Sequence, residues 1–151
     1  MNITSNILTK IKLLVVDDEK DITDLLVRHF MFLGYDITAC NDPKTALKMI
    51  EEGAYNIVIS DIVMPGMTGL ELLRKIKEYN GGIHVVLMTG YVTMHHILTA
   101  MRLGAVTVFF KPLKELDQLE ATIQECINKI NHWRNILKEL GNLGKAGRIN
   151  D

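Results

Sequence analysis

This sequence predicts a doubly wound α/β fold: a (βα)5 unit with a five-stranded parallel sheet, helices on both faces and an extended C-terminal helix. Two observations carry that prediction. Five short, β-rich apolar runs alternate one for one with five segments of helical periodicity. Four of the five runs are continuous rather than alternating, the pattern of strands buried on both faces.

The first run, Leu13-Leu14-Val15-Val16, follows an N-terminal arm of residues 1–11 and opens a domain expected over residues 12–128. Ile22, Leu25, Leu26, Phe30 and Leu33 form the apolar stripe of a first helix that stops before Gly34. Tyr35 to Cys40 is the second strand. Asp42-Pro43 then supplies an N-cap residue and a proline at the first helical position for a second helix bearing Ala46, Leu47 and Ile50. Ile57-Val58-Ile59 is the third strand, and Leu70, Leu72, Leu73 and Ile76 mark the third helix. Val85 to Met88 is the fourth strand. Met94, Ile97, Leu98 and Met101 mark a fourth helix ending at Gly104, and Met88, Met94 and Met101 read as core packing. Val106 to Phe110 completes the sheet.

The fifth helical pattern, from about Glu115 to Leu140, exceeds the dozen or so residues that covering a sheet requires. Leu116, Leu119, Ile123, Cys126, Ile130, Trp133, Leu137 and Leu140 keep spacings of 3, 4, 3, 4, 3, 4 and 3, an a/d heptad register. Residues 129–140 are therefore expected to protrude, as a possible coiled coil that would make a homodimer. The alternative is a monomeric helix whose first half packs on the sheet through Leu119, Ile123 and Ile127. Residues 141–151 carry three glycines and little apolar material, which predicts a flexible tail.

Composition narrows the function. With 48% of 151 residues apolar, 23% charged and three prolines, the chain has the makings of a packed core rather than disorder. Seventeen basic against eighteen acidic residues leave a charge of −1, so there is no overall positive field to hold a nucleic-acid backbone. No run approaches the roughly 18 apolar residues of a membrane span, and Met1 to Lys12 lacks a signal-peptide pattern, so the chain reads as cytoplasmic. Cys40 and Cys126 form no C-x-x-C pair and read as reduced packing residues.

In an open parallel sheet, functional groups gather beyond the carboxyl ends of the strands. Asp17-Asp18-Glu19 follow strand one, Asp61 strand three, Thr89 strand four and Lys111-Pro112 strand five. Singly, each has a structural explanation: Asp18 could cap a helix, Asp61 could open the turn to Pro65-Gly66, and Lys111 could be a solvated charge. Together they pose an electrostatic problem, because two carboxylates about 4 Å apart repel by roughly 4 kcal/mol at an effective dielectric of about 20. Clustered acids need a cation, and all-oxygen ligands point to Mg²⁺. A lysine and a threonine hydroxyl on the same edge suit phosphoryl transfer to a carboxylate.

The motifs Val15-Val16-Asp17-Asp18-Glu19, Asp61-x-x-Met64-Pro65-Gly66-Met67-x-Gly69, Met88-Thr89-Gly90-Tyr91 and Gly104-Ala105 to Lys111-Pro112 closely resemble the response-regulator receiver domain of two-component signalling, over about residues 10–128. Met88 to Pro112 most resembles the receivers of nitrogen-regulation-type activators, in which helix five often continues as a coiled-coil linker. The resemblance implies a flavodoxin-like strand order of 2-1-3-4-5. It implies that Asp61 is the phosphoacceptor for a sensor histidine kinase or a small donor such as acetyl phosphate. It gives Asp17, Asp18, the Asp61 carboxylate and the Val63 carbonyl as Mg²⁺ ligands, Thr89 as the switch hydroxyl and Lys111 as its ion-pair partner. It implies a cis Lys111-Pro112 bond, which would aim the lysine inward. The readout surface would be helix four, strand five and helix five, acting on a downstream protein or output domain. Such a chain is a phosphoacceptor signalling domain rather than an enzyme.

Some positions depart from that pattern. Val108 stands where many receivers carry an aromatic residue that swings inward with the threonine. Val63 and Tyr91, which flank the site, bring neither an acid nor an amide to orient water, so self-hydrolysis should be slow. His95 and His96 point about 100° apart on a helix and do not form a chelating pair; His29, His84 and His132 read as solvated. A competing function is a degenerate receiver used as a phosphorylation-independent interaction or dimerisation scaffold. Another is an aspartyl-phosphate phosphatase, but its second acid is missing, because Ile62-Val63 follow Asp61. The span after Leu140 has no room for a helix-turn-helix unit, which predicts a stand-alone receiver or the front of a longer regulator.

Overall fold

A computed structural model describes residues 11–91 and 93–145. The strands are β1 (Lys12–Val16), β2 (Asp36–Cys40), β3 (Ile57–Asp61), β4 (His84–Thr89) and β5 (Val108–Phe110). The helices are α1 (Lys20–Phe32), α2 (Pro43–Glu52), α3 (Gly69–Tyr79), α4 (Met94–Arg102) and α5 (Asp117–Lys145). All strand pairs are parallel and the order is β2-β1-β3-β4-β5, as expected. The chain divides into two compact units, residues 11–116 with the sheet and α1 to α4, and a second that holds α5.

Within residues 11–116, the three central strands are buried almost throughout. Leu14, Val16, Val58, Val85 and Leu87 share one core cluster with Ala46 and Ile50 of α2 and Leu72, Leu73 and Ile76 of α3. By the two-residue period of a strand, Leu13, Val15, Ile57, Ile59, Val86 and Met88 lie on the opposite face, and they are fully buried too. Each such aliphatic side chain stabilises the fold by about 1.5–3 kcal/mol. α2 starts as its sequence predicts, with Asp42 accepting from the Thr45 amide and Pro43 opening the helix. α1 and α4 stop where Gly34 and Gly104 adopt φ of +92° and +87°, a backbone conformation that strains any residue with a Cβ.

Several expectations need correction. β5 spans three residues, and its Phe110 is 59% exposed, because β5 is an edge strand rather than one buried on both faces. The α1 stripe is rotated: Thr23, Leu26 and Phe30 are buried, while Leu25 and Leu33 are exposed. α4 buries Ala100 and turns Met94, Leu98 and Met101 outward, so of the three methionines read as core only Met88 lies inside. A small residue lets the helix approach closely, which leaves the larger side chains at the rim.

In the second unit, α5 starts at Asp117 rather than Glu115 and runs five residues past Leu140 to Lys145. Gly141 and Gly144 do not stop it, since each costs a helix only about 1 kcal/mol and Leu143 continues the apolar pattern. Residues 141–145 of the expected tail are thus helical; residues 146–151 and the arm's residues 1–10 lie outside the described residues. Leu119, Ile123 and Cys126 are buried, whereas Trp133, Ile136, Leu137, Leu140 and Leu143 are exposed. Both cysteines are free thiols and buried. Among the described residues, no helix is long and apolar enough to cross a membrane.

Candidate functional site

The sheet order reverses direction at β1 and β3, and the functional side chains collect at the carboxyl ends of the strands around that point. Asp61 and Thr89 are the last residues of β3 and β4 rather than the first residues of loops. Because Asp61 pairs with Met88, Thr89 sits one residue further along the neighbouring strand. Asp17 and Thr89 are fully buried and Asp61 is 4% exposed. Lys111 follows β5 through a cis peptide to Pro112, as the resemblance implies.

Lys111 joins the acids. Its Nζ donates to Asp17 Oδ2 at 2.6 Å and to Asp61 Oδ2 at 3.2 Å, and lies 3.6 Å from Glu19 Oε1. Burial works to lower the lysine pKa, but the hydrogen bond to Asp17 and the charges of Asp17 and Asp61 outweigh it, and the ammonium is held above its ordinary 10.5. Burial pushes the Asp17 carboxyl above 3.8, assisted by the Asp61 charge and opposed by Lys111 and the Glu19 amide. The site therefore favours positive charge.

The surrounding backbone fixes these groups. Asp17 Oδ1 accepts from the Glu19 amide at 2.9 Å. Gly69 opens α3 by crossing the end of β3, and a Cβ there would lie 2.0 Å from the Asp61 carbonyl oxygen. Only glycine permits that crossing. The Thr89 hydroxyl donates to the Tyr91 carbonyl at 2.7 Å and accepts from the Tyr91 amide at 3.1 Å, so it is held by its own loop.

Among the described residues, the acids whose oxygens lie within 4.8 Å of one another are Asp17, Glu19 and Asp61. Asp18 is exposed and outside that trio, and the Val63 side chain is 52% exposed. Glu19 was not singled out by sequence reasoning; its place directly after two acids was the available signal. Two buried carboxylates and one exposed one, with no soft ligand among them, fit a hard divalent cation such as Mg²⁺.

Residues 13–124 match the family model of the response regulator receiver domain, and the chain belongs to that family. It is 32% identical over 117 residues to the transcriptional regulatory protein ZraR of Escherichia coli K12, covering 78% of this chain but 26% of ZraR. It is 33% identical over 147 residues to the response regulator SaeR of Staphylococcus epidermidis, covering 92% of this chain and 64% of SaeR. Among solved structures it is similar to TrrA of Thermotoga maritima in complex with Mg²⁺-BeF, with a TM-score of 0.70 and 31% identity over 77% of this chain and 98% of TrrA. It is also similar to the beryllofluoride-activated NtrC4 receiver domain dimer, with a TM-score of 0.74 and 27% identity over 79% of this chain and 98% of the other. The chain thus spans about a quarter of ZraR and under two thirds of SaeR. It is a receiver domain of a two-component system.

Proposed function

We propose that this receiver takes a phosphoryl group onto Asp61 from a sensor histidine kinase in the cytoplasm, or from a small acyl phosphate. The observation that carries the reading is the almost fully buried Asp61 carboxylate, 3.2 Å from a lysine ammonium at the mouth of a parallel sheet. A carboxylate oxygen of Asp61 attacks phosphorus, the bond from phosphorus to the donor nitrogen or oxygen breaks, and the donor leaves with that electron pair. Lys111 steadies the charge on the transferring oxygens and turns from Asp17 toward the new acyl phosphate.

Asp17, Asp18 and Asp61, with the Val63 carbonyl, would hold Mg²⁺, which supplies charge neutralisation for the phosphoryl oxygens. The similarity to TrrA, solved in complex with Mg²⁺-BeF, supports Mg²⁺ as the cation. Asp18, exposed and next in sequence to Asp17, would complete the set with the two buried acids.

Phosphorylation offers Thr89 an acceptor that exists only in that state. Donating to it requires the hydroxyl to give up the Tyr91 carbonyl, which frees the loop leading into α4. The exposed Met94, Leu98 and Met101 of α4 and Phe110 of β5 then form the surface that a downstream protein or output domain reads. With Val108 in place of a rotating ring, loop and helix movement carry the signal. The similarity to the NtrC4 receiver domain dimer supports a homodimer, and the exposed apolar residues of α5 beyond Lys129 would serve as its seam. Phosphorylation of the wild-type chain by a small donor, absent from Asp61→Asn, tests the whole reading.

A further inference from the structure

The β1–β2 ladder ends at Val16 and Cys40, with the Asp17 amide still donating to the Cys40 carbonyl at 3.2 Å. The next rung of a parallel ladder would be the Asp42 amide donating to the Asp17 carbonyl, but there the chain leaves the sheet, with Asp42 capping α2. The Asp17 carbonyl would have no strand partner, although its residue is fully buried. The Asn41 side chain fills the gap. Its Nδ2 donates to the Asp17 carbonyl at 2.8 Å and to Thr23 Oγ1 at 3.0 Å, and the fully buried Thr23 hydroxyl donates to the Lys20 carbonyl at 3.0 Å.

This chain of bonds runs from Asp17, the first residue of the acidic loop, to the first turn of α1, so it ties down Asp17 and spans Asp18 and Glu19. We infer that Asn41 is a positioning residue for the cation site: it sets the spacing and direction of the acidic loop without touching the ion. The inference rests on the Mg²⁺ reading given above. Partners of this kind commonly change metal affinity by about 10–100-fold when removed. Asn41 is itself exposed, so replacing it opens no cavity in the core, although it leaves the Asp17 carbonyl without this donor.

The test is amide NMR titration of the intact protein with MgCl₂ and with CaCl₂, for wild type, Asn41→Ala and Asp42→Ala. Asp42→Ala removes the neighbouring α2 cap and leaves the clamp in place, so it controls for lost stability. Asn41→Ala should bind Mg²⁺ at least about tenfold more weakly, and Ca²⁺ binding should fall less, because Mg²⁺ demands stricter ligand geometry. Asp42→Ala should bind both ions as wild type does. Unchanged Mg²⁺ affinity in Asn41→Ala, or an equal loss for both ions, overturns the role given to Asn41 alone. A wild-type protein that shows no Mg²⁺-dependent shifts overturns the cation reading, and this inference with it.

Discussion

Lys111 Nζ lies closer to Asp17 Oδ2, at 2.6 Å, than to Asp61 Oδ2, at 3.2 Å. In the proposed switch, the lysine that would serve the phosphorylated state thus rests against a neighbouring acid beforehand. That resting position gives the site a pH signature. A lysine whose folded pKa is raised contributes stability that is complete below the unfolded value near 10.5 and is lost as pH rises through the folded value.

Lys111→Met should therefore cost about 3 kcal/mol at neutral pH without Mg²⁺, by leaving buried carboxylates unpaired. Thermal melting should show a gap between wild type and variant that is constant from neutral pH to about 10.5 and closes as pH rises through the folded lysine pKa above it. A gap that stays constant or widens at alkaline pH would show that Lys111 is not held as described.

Gly69→Ala should destabilise by about 3 kcal/mol or more, since the added Cβ meets backbone, with 2.0 Å to the Asp61 carbonyl oxygen and 2.9 Å to the Ile62 Cα. Gly141→Ala, where nothing lies within 4 Å, should raise helicity and contribute up to about 1 kcal/mol. Urea unfolding for the first and circular dichroism for the second measure these opposite effects.

Mg²⁺ should raise the melting temperature, by the equivalent of about 2.7 kcal/mol at 100 times its Kd. Asp18→Ala should abolish the rise and Glu19→Gln should keep most of it. The reverse result would transfer the ligand role to Glu19, the acid whose oxygen lies beside Asp17 and Asp61.

The acyl phosphate should be long-lived, because neither Val63 nor Tyr91 brings an acid or amide to orient an attacking water. Val63→Asn should shorten its half-life several-fold, as followed by intact mass after removal of the donor. A half-life in the wild type no longer than in the variant would refute this.

The exposed apolar stretch of α5 belongs to a helix of 29 residues, about 44 Å long at about 1.5 Å per residue. Truncation after Lys129 removes Trp133, Ile136, Leu137, Leu140 and Leu143, and light scattering should then report a monomer where the full chain is a dimer. An unchanged mass would remove α5 as the seam.

The sheet was legible because its three inner strands are continuous aliphatic runs, and Asp61, Thr89 and Lys111 because each ends or follows one. Helix faces were less legible. The i, i+3, i+4 pattern of α4 counted its methionines as core, while the surface in contact is set by one small residue, Ala100. The fifth helix outran its predicted end because exposed glycines weaken a helix without ending it. Asn41 escaped notice because its role depends on where the β1–β2 ladder stops, which is a matter of register rather than composition. Gly69 stood within a motif, but only the crossing of α3 over Asp61 explains why it has no side chain.

The most direct test of phosphoacceptance is intact mass after incubation with a small phosphodonor and Mg²⁺, for wild type and Asp61→Asn. The account predicts a gain of one phosphoryl group in the wild type alone, abolished by a chelator. No gain, under conditions that phosphorylate another receiver, would contradict it and leave a scaffold whose working part is α5.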